Sequence, residues 1–239
     1  QYVQSLYDSG VRCFVVERSV QLPADANILL VSSSIHALQQ VAAFHRKGFS
    51  LPVIGITGSN GKTIVKEWLY QLLSPFFTIV KNPGSYNSQV GVPLSVWKLE
   101  EHHTLGIFEA GISQMGEMEN LEKTIQPTIG IFTNIGTAHD EGFTNQQQKA
   151  QEKAKLFKHC EVVVYCKDHA LVSEVMEEQK LKGLSWGYHE NADIKISKNQ
   201  HYFIHYHEKS FELNLPFSDA ASIENCFHCV AMMLYLDMD

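Results

Sequence analysis

The sequence predicts an α/β fold, with a mainly parallel sheet flanked by helices. Three observations support this fold class. Strand-length apolar runs alternate with helical patterns along most of the 239 residues. A strand-like run leads directly into a glycine-rich loop and a helix within residues 52–73. The final third alternates apolar and polar residues, as half-exposed antiparallel strands do. We therefore expect a P-loop-type sheet with a small antiparallel extension near the C-terminal end.

The individual elements follow from hydrophobic periodicity and from helix-ending glycines such as Gly48. The predicted strands are 11–17, 28–31, 52–56, 77–80, 105–109, 129–133, 162–165, 194–196, 202–206 and 211–215. The predicted helices are 34–47, 63–73, 145–158 and 223–236. Because ligands of open α/β sheets bind at the carboxyl ends of the strands, those ends are where functional residues are expected.

Composition argues against two classes of partner, nucleic acid and a membrane. The net charge is −7 and no basic block is present, which argues against nucleic acid. The longest apolar runs, such as 28–31, are far shorter than the ~20 residues of a membrane helix, so no membrane span is expected.

The cysteines predict free thiols. Their odd number, five, and their positions in apolar segments are typical of a protein in a reducing compartment. Cys226 and Cys229 form a C-x-x-C pair, but a zinc site needs about four ligands and no second pair stands at a suitable spacing. We therefore expect a cytoplasmic protein without structural zinc.

The strongest local signal is the loop 55–63, which reads G-I-T-G-S-N-G-K-T. Glycines let such a loop turn tightly and present N–H groups to phosphate, and the following helix adds a positive dipole end. Lys62 is expected to reach the β- and γ-phosphates and the Thr63 hydroxyl to bind Mg²⁺. The alternative is a glycine-rich turn with a surface lysine. The nucleotide-binding residues predicted here are Thr57, Gly58, Ser59, Asn60, Gly61, Lys62 and Thr63.

Three further segments accompany this loop: Y-N-S-Q-V-G-V-P at 86–93, E-A-G followed by M-G-E-M within 109–118, and T-N-I-G-T-A-H at 133–139. Together with T-G-S-N-G-K-T, where Ile56 replaces the first glycine of the general P-loop pattern, they resemble the Mur ligase family. The resemblance covers residues 53–236, and the G-E-M element is similar to the D-alanyl-D-alanine-adding (MurF-type) branch. Ser88 and the segment 219–225 resemble a form that is followed by an alanine racemase.

The resemblance implies a three-domain enzyme. Residues 1–50 would be the tail of an N-terminal UDP-substrate domain and residues 51–239 the central ATP-binding domain, with the C-terminal ligase domain absent. Because the chain starts at Gln1 rather than Met, we expect it to be a piece of a longer protein. The implied activity is ATP-dependent peptide-bond formation through an acyl phosphate, which adds D-Ala-D-Ala to UDP-N-acetylmuramoyl-tripeptide in peptidoglycan synthesis.

The family also implies a site with ATP and two Mg²⁺ ions. Glu109 ends a predicted strand, where a hard carboxylate can hold Mg²⁺ together with Thr63. The alternative for Glu109 is an exposed strand-end acid or a helix cap. The resemblance makes His139 a ligand of the second Mg²⁺, and the alternative is an ordinary loop histidine.

Lys153 lies four residues before Phe157, the spacing of the family's carbamylated lysine. A carbamate would turn this ammonium into an anionic metal ligand. The alternative is a solvated face shared with Lys149, Lys155 and Lys158.

Four asparagine and serine side chains complete the expected site. The resemblance places Asn225 against adenine, although asparagine is also common at helix starts. Asn134 is expected in the nucleotide pocket, and Asn87 and Ser88 in the substrate loop.

Four other functions compete with this interpretation. Another Mur ligase is one of them and stays open. A folylpolyglutamate synthase-like ligase is disfavoured by the G-E-M element at 116–118. A GTPase switch would need an N-K-x-D-like motif, which the sequence lacks. A nucleotide-binding module without activity by itself stays compatible with the leading interpretation.

Overall fold

The computed structural model describes residues 2–136 and 142–238. The strands in this part of the chain are Cys13–Val16 (β1), Asn27–Leu30 (β2), Val53–Thr57 (β3), Ile79–Lys81 (β4), Leu105–Glu109 (β5), Ile129–Phe132 (β6), Val162–Cys166 (β7), Gly183–Gly187 (β8), Ile194–Lys198 (β9), Tyr202–Tyr206 (β10) and Lys209–Leu213 (β11). The α-helices are Val3–Asp8 (α1), Ser34–Arg46 (α2), Lys62–Leu73 (α3), Gly91–Val96 (α4), Glu117–Ile125 (α5), Gln146–Ala154 (α6), Ala170–Glu178 (α7) and Ala220–Tyr235 (α8).

The described strands form one nine-stranded sheet and one two-stranded sheet. The large sheet has the order β11-β10-β9-β8-β7-β6-β3-β5-β4, and every neighbouring pair from β9 to β4 is parallel. Strands β10 and β11 extend it in antiparallel fashion, while β1 and β2 form the separate parallel pair. The predicted fold class is therefore confirmed.

The large sheet is buried on both faces, which explains the continuous apolar runs of its parallel strands. Along β3, Ile54 and Ile56 pack with α3 and α8 on one face, whereas Val53 contributes to the core under α4 to α7 on the other. Helix α3 turns its apolar stripe inward, because Val65 and Leu69 are fully buried at helical spacing.

Several elements differ from the sequence prediction. Helices α1, α4, α5 and α7 were not predicted. Helix α8 begins three residues earlier than expected, since the Asp219 side chain caps it by accepting the Ser222 N–H at 2.8 Å. Strand β8 was missed because its five residues include a glycine at each end. Helix α6 ends at Ala154, where a 3₁₀ turn over Lys155–Phe157 replaces the last predicted turn.

Helix α2 attaches the first fifty residues to the rest of the chain. It packs on α4 and α5, and its buried Arg46 donates to the carbonyls of Ile125 (2.9 Å) and Phe49 (2.6 Å). The boundary near Ser50 stays a prediction. In the part of the chain that the structure describes, no helix combines the length and the apolar character needed to cross a bilayer.

Strand β3 lies at the point of the sheet where a ligand site is expected. Its two neighbours are β5 and β6, and the strand order runs outward from β3 in opposite directions. This reversal leaves a crevice at the carboxyl ends of the three strands. The loop 58–61 starts from that edge.

Candidate functional site

The loop between β3 and α3 has a shape that only glycine permits at two positions. Gly58 and Gly61 have φ angles of +147° and +82°. A Cβ at Gly58 would lie 1.9 Å from the Thr133 Oγ1, and one at Gly61 would lie 2.2 Å from the Asn225 Oδ1. Both glycines are therefore required by backbone conformation and by the close approach of neighbouring side chains.

The loop is fixed to the ends of the adjacent strands. The Ser59 N–H donates to the Asn134 carbonyl at 2.7 Å. The Asn60 N–H donates to the Asn134 Oδ1 at 3.1 Å. The Thr133 hydroxyl donates to the Asn60 carbonyl at 2.6 Å. On the other side, the buried Thr57 hydroxyl donates to the carbonyl that follows β5. Thr57, Ser59 and Asn60 thus shape the loop through contacts with β5 and β6.

An anion can bind at the start of α3. The N–H groups of Gly61, Lys62 and Thr63 lie before or within the first helical turn, where an α-helix supplies no acceptors. The Lys62 Nζ folds over the loop and donates to the carbonyls of Gly58 (2.8 Å) and Ser59 (3.2 Å). Burial lowers the pKa of Lys62, the Glu109 carboxylate opposes this shift, and Lys149 adds to it. Lys62 is thus a partly desolvated cation beside the free N–H groups.

Glu109 is fully buried at the end of β5, so its interpretation as an exposed strand-end acid is wrong. Its carboxylate accepts the Thr63 hydroxyl at 2.8 Å. Asn82 fixes the backbone of the same residue, because its Oδ1 accepts the Glu109 N–H at 2.7 Å. The sheet edge therefore holds a carboxylate and a hydroxyl side by side, next to the phosphate loop.

Lys66 is a residue of this site that sequence analysis missed. Its side chain is fully buried, its Nζ lies 3.2 Å from the Glu109 Oε1, and it also donates to the Gly84 carbonyl. Removing one partner of such a buried pair typically costs about 3–5 kcal/mol, because the other charge stays uncompensated. The available signal was its spacing of four residues from Lys62, which places both lysines on one side of α3.

The oxygen donors of this edge suit Mg²⁺. Hard cations prefer carboxylate and hydroxyl oxygens, and Mg²⁺ typically takes one or two carboxylates and completes its shell with phosphate and water. The pairing of Thr63 with Glu109 fits that requirement. Over residues 2–136 and 142–238, no group of three or more His, Cys, Asp and Glu side chains forms a complete metal cage. His139 lies outside the described residues.

Lys153 is buried, which contradicts the solvated-face alternative for this residue. Its side chain is 2 % exposed, and Lys149 on the preceding turn is fully buried and donates to the Gly136 carbonyl. Only Lys155 and Lys158 of the same group reach the surface. Burial, with further repulsion from Lys62 and Lys149, lowers the pKa of Lys153 to about 7. The side chain is therefore an amine that is easily deprotonated and lies near Lys62.

The sequence predicted Asn225 at the start of the last helix, but the residue lies in the second turn of α8. It is buried, and its Oδ1 contacts the loop at Gly61. Asn87 lies against the end of β5, since its carbonyl accepts the Gly111 N–H at 2.8 Å. Ser88 accepts the Gly91 N–H at 3.1 Å and so contributes to the start of α4.

Comparison with known proteins finds a family whose members are similar to this chain. A family model described as the Mur ligase middle domain matches residues 56–233. The chain is 31% identical over 252 residues to the UDP-N-acetylmuramoyl-tripeptide–D-alanyl-D-alanine ligase of Borreliella burgdorferi, which covers 99% of this chain and 54% of that protein.

Solved structures show the same similarity. MurF from Acinetobacter baumannii superimposes with a TM-score of 0.88 and 27% identity over 100% of this chain and 54% of its own. MurF ligase from Thermotoga maritima, in complex with ADP, gives a TM-score of 0.86 and 25% identity over 100% of this chain and 57% of its own. The chain spans about half the length of the curated relatives it matches.

Proposed function

The chain belongs to the Mur ligase family, whose middle domain it carries, and we propose on this premise that it is the ATP-binding part of a cytoplasmic peptide ligase. The whole enzyme would add D-Ala-D-Ala to UDP-N-acetylmuramoyl-tripeptide in peptidoglycan synthesis. The names of the similar proteins support this choice of substrates. The predicted alanine racemase concerns sequence beyond Asp239 and stays a prediction.

One observation carries the proposal. The phosphate loop with Lys62 ends β3, and the Glu109 carboxylate ends the adjacent β5, where it contacts the Thr63 hydroxyl. A loop of free N–H groups beside a carboxylate and a hydroxyl suits a nucleoside triphosphate with its Mg²⁺. The ADP complex of the Thermotoga maritima relative supports the same assignment.

In this reaction the chain's residues would act by positioning and charge neutralisation. The substrate carboxylate attacks the γ-phosphorus of ATP and ADP leaves. An amine then attacks the resulting acyl phosphate and inorganic phosphate leaves. Lys62 and the N–H groups at the start of α3 would neutralise the phosphoryl oxygens, on which charge builds. Thr63 and Glu109 would hold Mg²⁺, which supplies further neutralisation when bound.

A second Mg²⁺ would be held by His139 and by a carbamate on Lys153. A carbamate forms when the neutral Nζ bonds to the carbon of CO₂ and releases a proton. The pKa of Lys153, about 7, makes the neutral amine available near physiological pH. An ordinary lysine with a pKa of about 10.4 is almost entirely protonated there. Burial and proximity to Lys62 therefore favour Lys153 over the exposed lysines for this modification.

The 239-residue chain is expected to bind Mg-ATP without sustained turnover, since the carboxylate and amine substrates would be bound mainly by other domains. Calorimetry with Mg²⁺ present should show saturable ATP binding, and a phosphate-release assay should show no steady production of phosphate. Absence of binding at millimolar ATP and Mg²⁺ would contradict the proposed function.

Replacing Glu109 or His139 is expected to raise the Mg²⁺ concentration needed for ATP binding by about tenfold, because each change removes a metal ligand. Glu109→Gln is preferable to alanine, since the amide still occupies the space beside Lys66. Glu119→Gln, on an exposed helical ion pair, is the matched control. Mg²⁺ titrations that are unchanged for both Glu109→Gln and His139→Ala would rule out the two-metal site.

A further inference from the structure

A chain of hydrogen bonds connects His169, the residue before α7, to the phosphate loop. The His169 Nε2 lies 3.0 Å from the Glu224 Oε2, and the Asn134 Nδ2 donates to the Glu224 Oε1 at 2.8 Å. The Asn134 Oδ1 in turn accepts the Asn60 N–H at 3.1 Å. We call His169, Glu224 and Asn134 the loop anchor. Its members come from the residue before α7, from α8 and from the end of β6.

We propose that His169 and Glu224 are positioning residues that set the conformation of the phosphate loop through Asn134. The inference rests on the proposed function, in which this loop binds the phosphates of ATP. His169 lies in no sequence motif of the site, and Glu224 lies in the segment 219–225 without a role predicted for it. Both act through Asn134 and not by contact with the nucleotide.

The chemistry of the amide explains why Glu224 is needed. An asparagine side chain has one oxygen that accepts and one nitrogen that donates, and both orientations fill the same space. A carboxylate only accepts, so Glu224 holds the Asn134 nitrogen toward itself. The Asn134 oxygen must then face the Asn60 N–H. Without Glu224, the reversed amide would point its donor at that N–H and release the loop.

Helix α8 applies two consecutive side chains to the loop. Glu224 acts on Asn134 beneath Asn60, and Asn225 contacts the loop directly at Gly61. Helix α8 therefore acts on two residues of the loop, Asn60 through Asn134 and Gly61 directly. This arrangement distinguishes the loop anchor from the His159–Glu122 pair, which has a similar distance of 2.8 Å but no bond to the loop.

His169 stabilises the charge of Glu224. The hydrogen bond to Glu224 raises the pKa of His169, although burial opposes the shift, and the nearby Asp168 adds to it. Burial favours a higher pKa for Glu224, but the hydrogen bonds from His169 and Asn134 outweigh it and the pKa is lowered. His228 also faces Glu224, and burial lowers its pKa to about 4, so it is neutral.

These charges give the loop anchor a pH dependence of defined sign. Below its raised pKa, His169 is an imidazolium that pairs with the Glu224 carboxylate. As the pH rises through that value the charge is lost and the pair weakens. The affinity for Mg-ATP should therefore fall as the pH rises through the titration of His169.

The test is calorimetry of Mg-ATP binding by the 239-residue chain at several pH values between 6 and 9. Glu224→Ala should weaken binding about tenfold, and His169→Ala about threefold. Glu224→Gln should recover most of the loss, because its amide oxygen can still accept from Asn134. Both His169→Ala and Glu224→Gln should flatten the pH dependence. His159→Ala, from the matched pair, should bind as the wild type does.

The outcomes separate this inference from the proposed function. If the wild type does not bind Mg-ATP at all, the proposed function fails. If the wild type binds and all the anchor variants match His159→Ala in affinity and pH profile, the loop anchor is overturned. Thermal unfolding shows which variants are folded. If Glu224→Ala is not folded, His169→Ala and Glu224→Gln decide the matter, since an unflattened pH profile in both would contradict the proposal.

Discussion

Replacing Lys62 with alanine is expected to lower the turnover of the full-length ligase by about 10²- to 10³-fold while the protein stays folded. Among the described residues, the Lys62 Nζ lies on the phosphate loop and donates to the carbonyls of Gly58 and Ser59. Burial desolvates the ammonium in the folded state and so lowers its pKa. Replacing Lys62 should therefore weaken the neutralisation of phosphate charge much more than it lowers the free energy of unfolding.

The measurement is steady-state ADP formation with all three substrates, together with thermal unfolding of each variant. Lys182→Ala, on an exposed lysine, is the matched control and should be fully active. A folded Lys62→Ala variant with turnover near that of the control would show that this loop does not bind the transferred phosphoryl group.

Replacing Lys153 is expected to abolish most of the activity, because it removes the proposed carbamate and with it an anionic metal ligand. Lys153→Met is the most informative change, since it keeps most of the buried volume without an amine. A small carboxylate in the buffer should restore part of the activity by occupying the ligand position that the carbamate leaves. Lys158→Met, on an exposed lysine close in sequence, should be active and indifferent to added carboxylate.

The carbamate itself can be observed by intact mass under bicarbonate, as a gain of one CO₂ that Lys153→Met lacks. Its pH dependence has a definite sign. Because the amine has a pKa of about 7, carbamylation should increase as the pH rises through 7 and decrease below it. Full activity of Lys153→Met, with no carboxylate effect, would contradict the assignment.

The same lowered pKa predicts a stability effect for the unmodified amine. Between about pH 7 and 10 the unfolded chain binds the Lys153 proton and the folded chain does not. The free energy of unfolding should therefore rise with pH across this window, by at most about 1.4 kcal/mol per pH unit. Below pH 7 both states are protonated, and the cost of burying the ammonium is present in full.

The phosphate site was predictable because its chemistry is local in sequence. Strand β3, the glycines at 58 and 61, Lys62 and Thr63 follow one another along the chain, and each has a sequence signal of its own. The position of Glu109 was predictable because β5 and β3 are both apolar runs whose carboxyl ends must meet at one edge of a parallel sheet.

The supporting residues were not predictable in this way, because their roles depend on tertiary contacts. Lys66 meets Glu109 across 43 residues of sequence, and Glu224 meets Asn134 across 90. Helical spacing marks Lys66 as a neighbour of Lys62, but no periodicity or motif pairs Lys66 with Glu109 or Glu224 with Asn134. The burial of Lys153 also depends on tertiary contacts, because a lysine-rich helix pattern by itself normally indicates a solvated face.

The most direct test of the proposed function is product analysis with the full-length enzyme, ATP, Mg²⁺, UDP-N-acetylmuramoyl-tripeptide and D-Ala-D-Ala. We expect a product whose mass equals that of the two joined substrates less one water, formed together with one ADP and one phosphate. The product should be absent when any single substrate is omitted. Hydrolysis of ATP without this peptide, or ATP-dependent transfer of glutamate to a folate in its place, would contradict the proposed function.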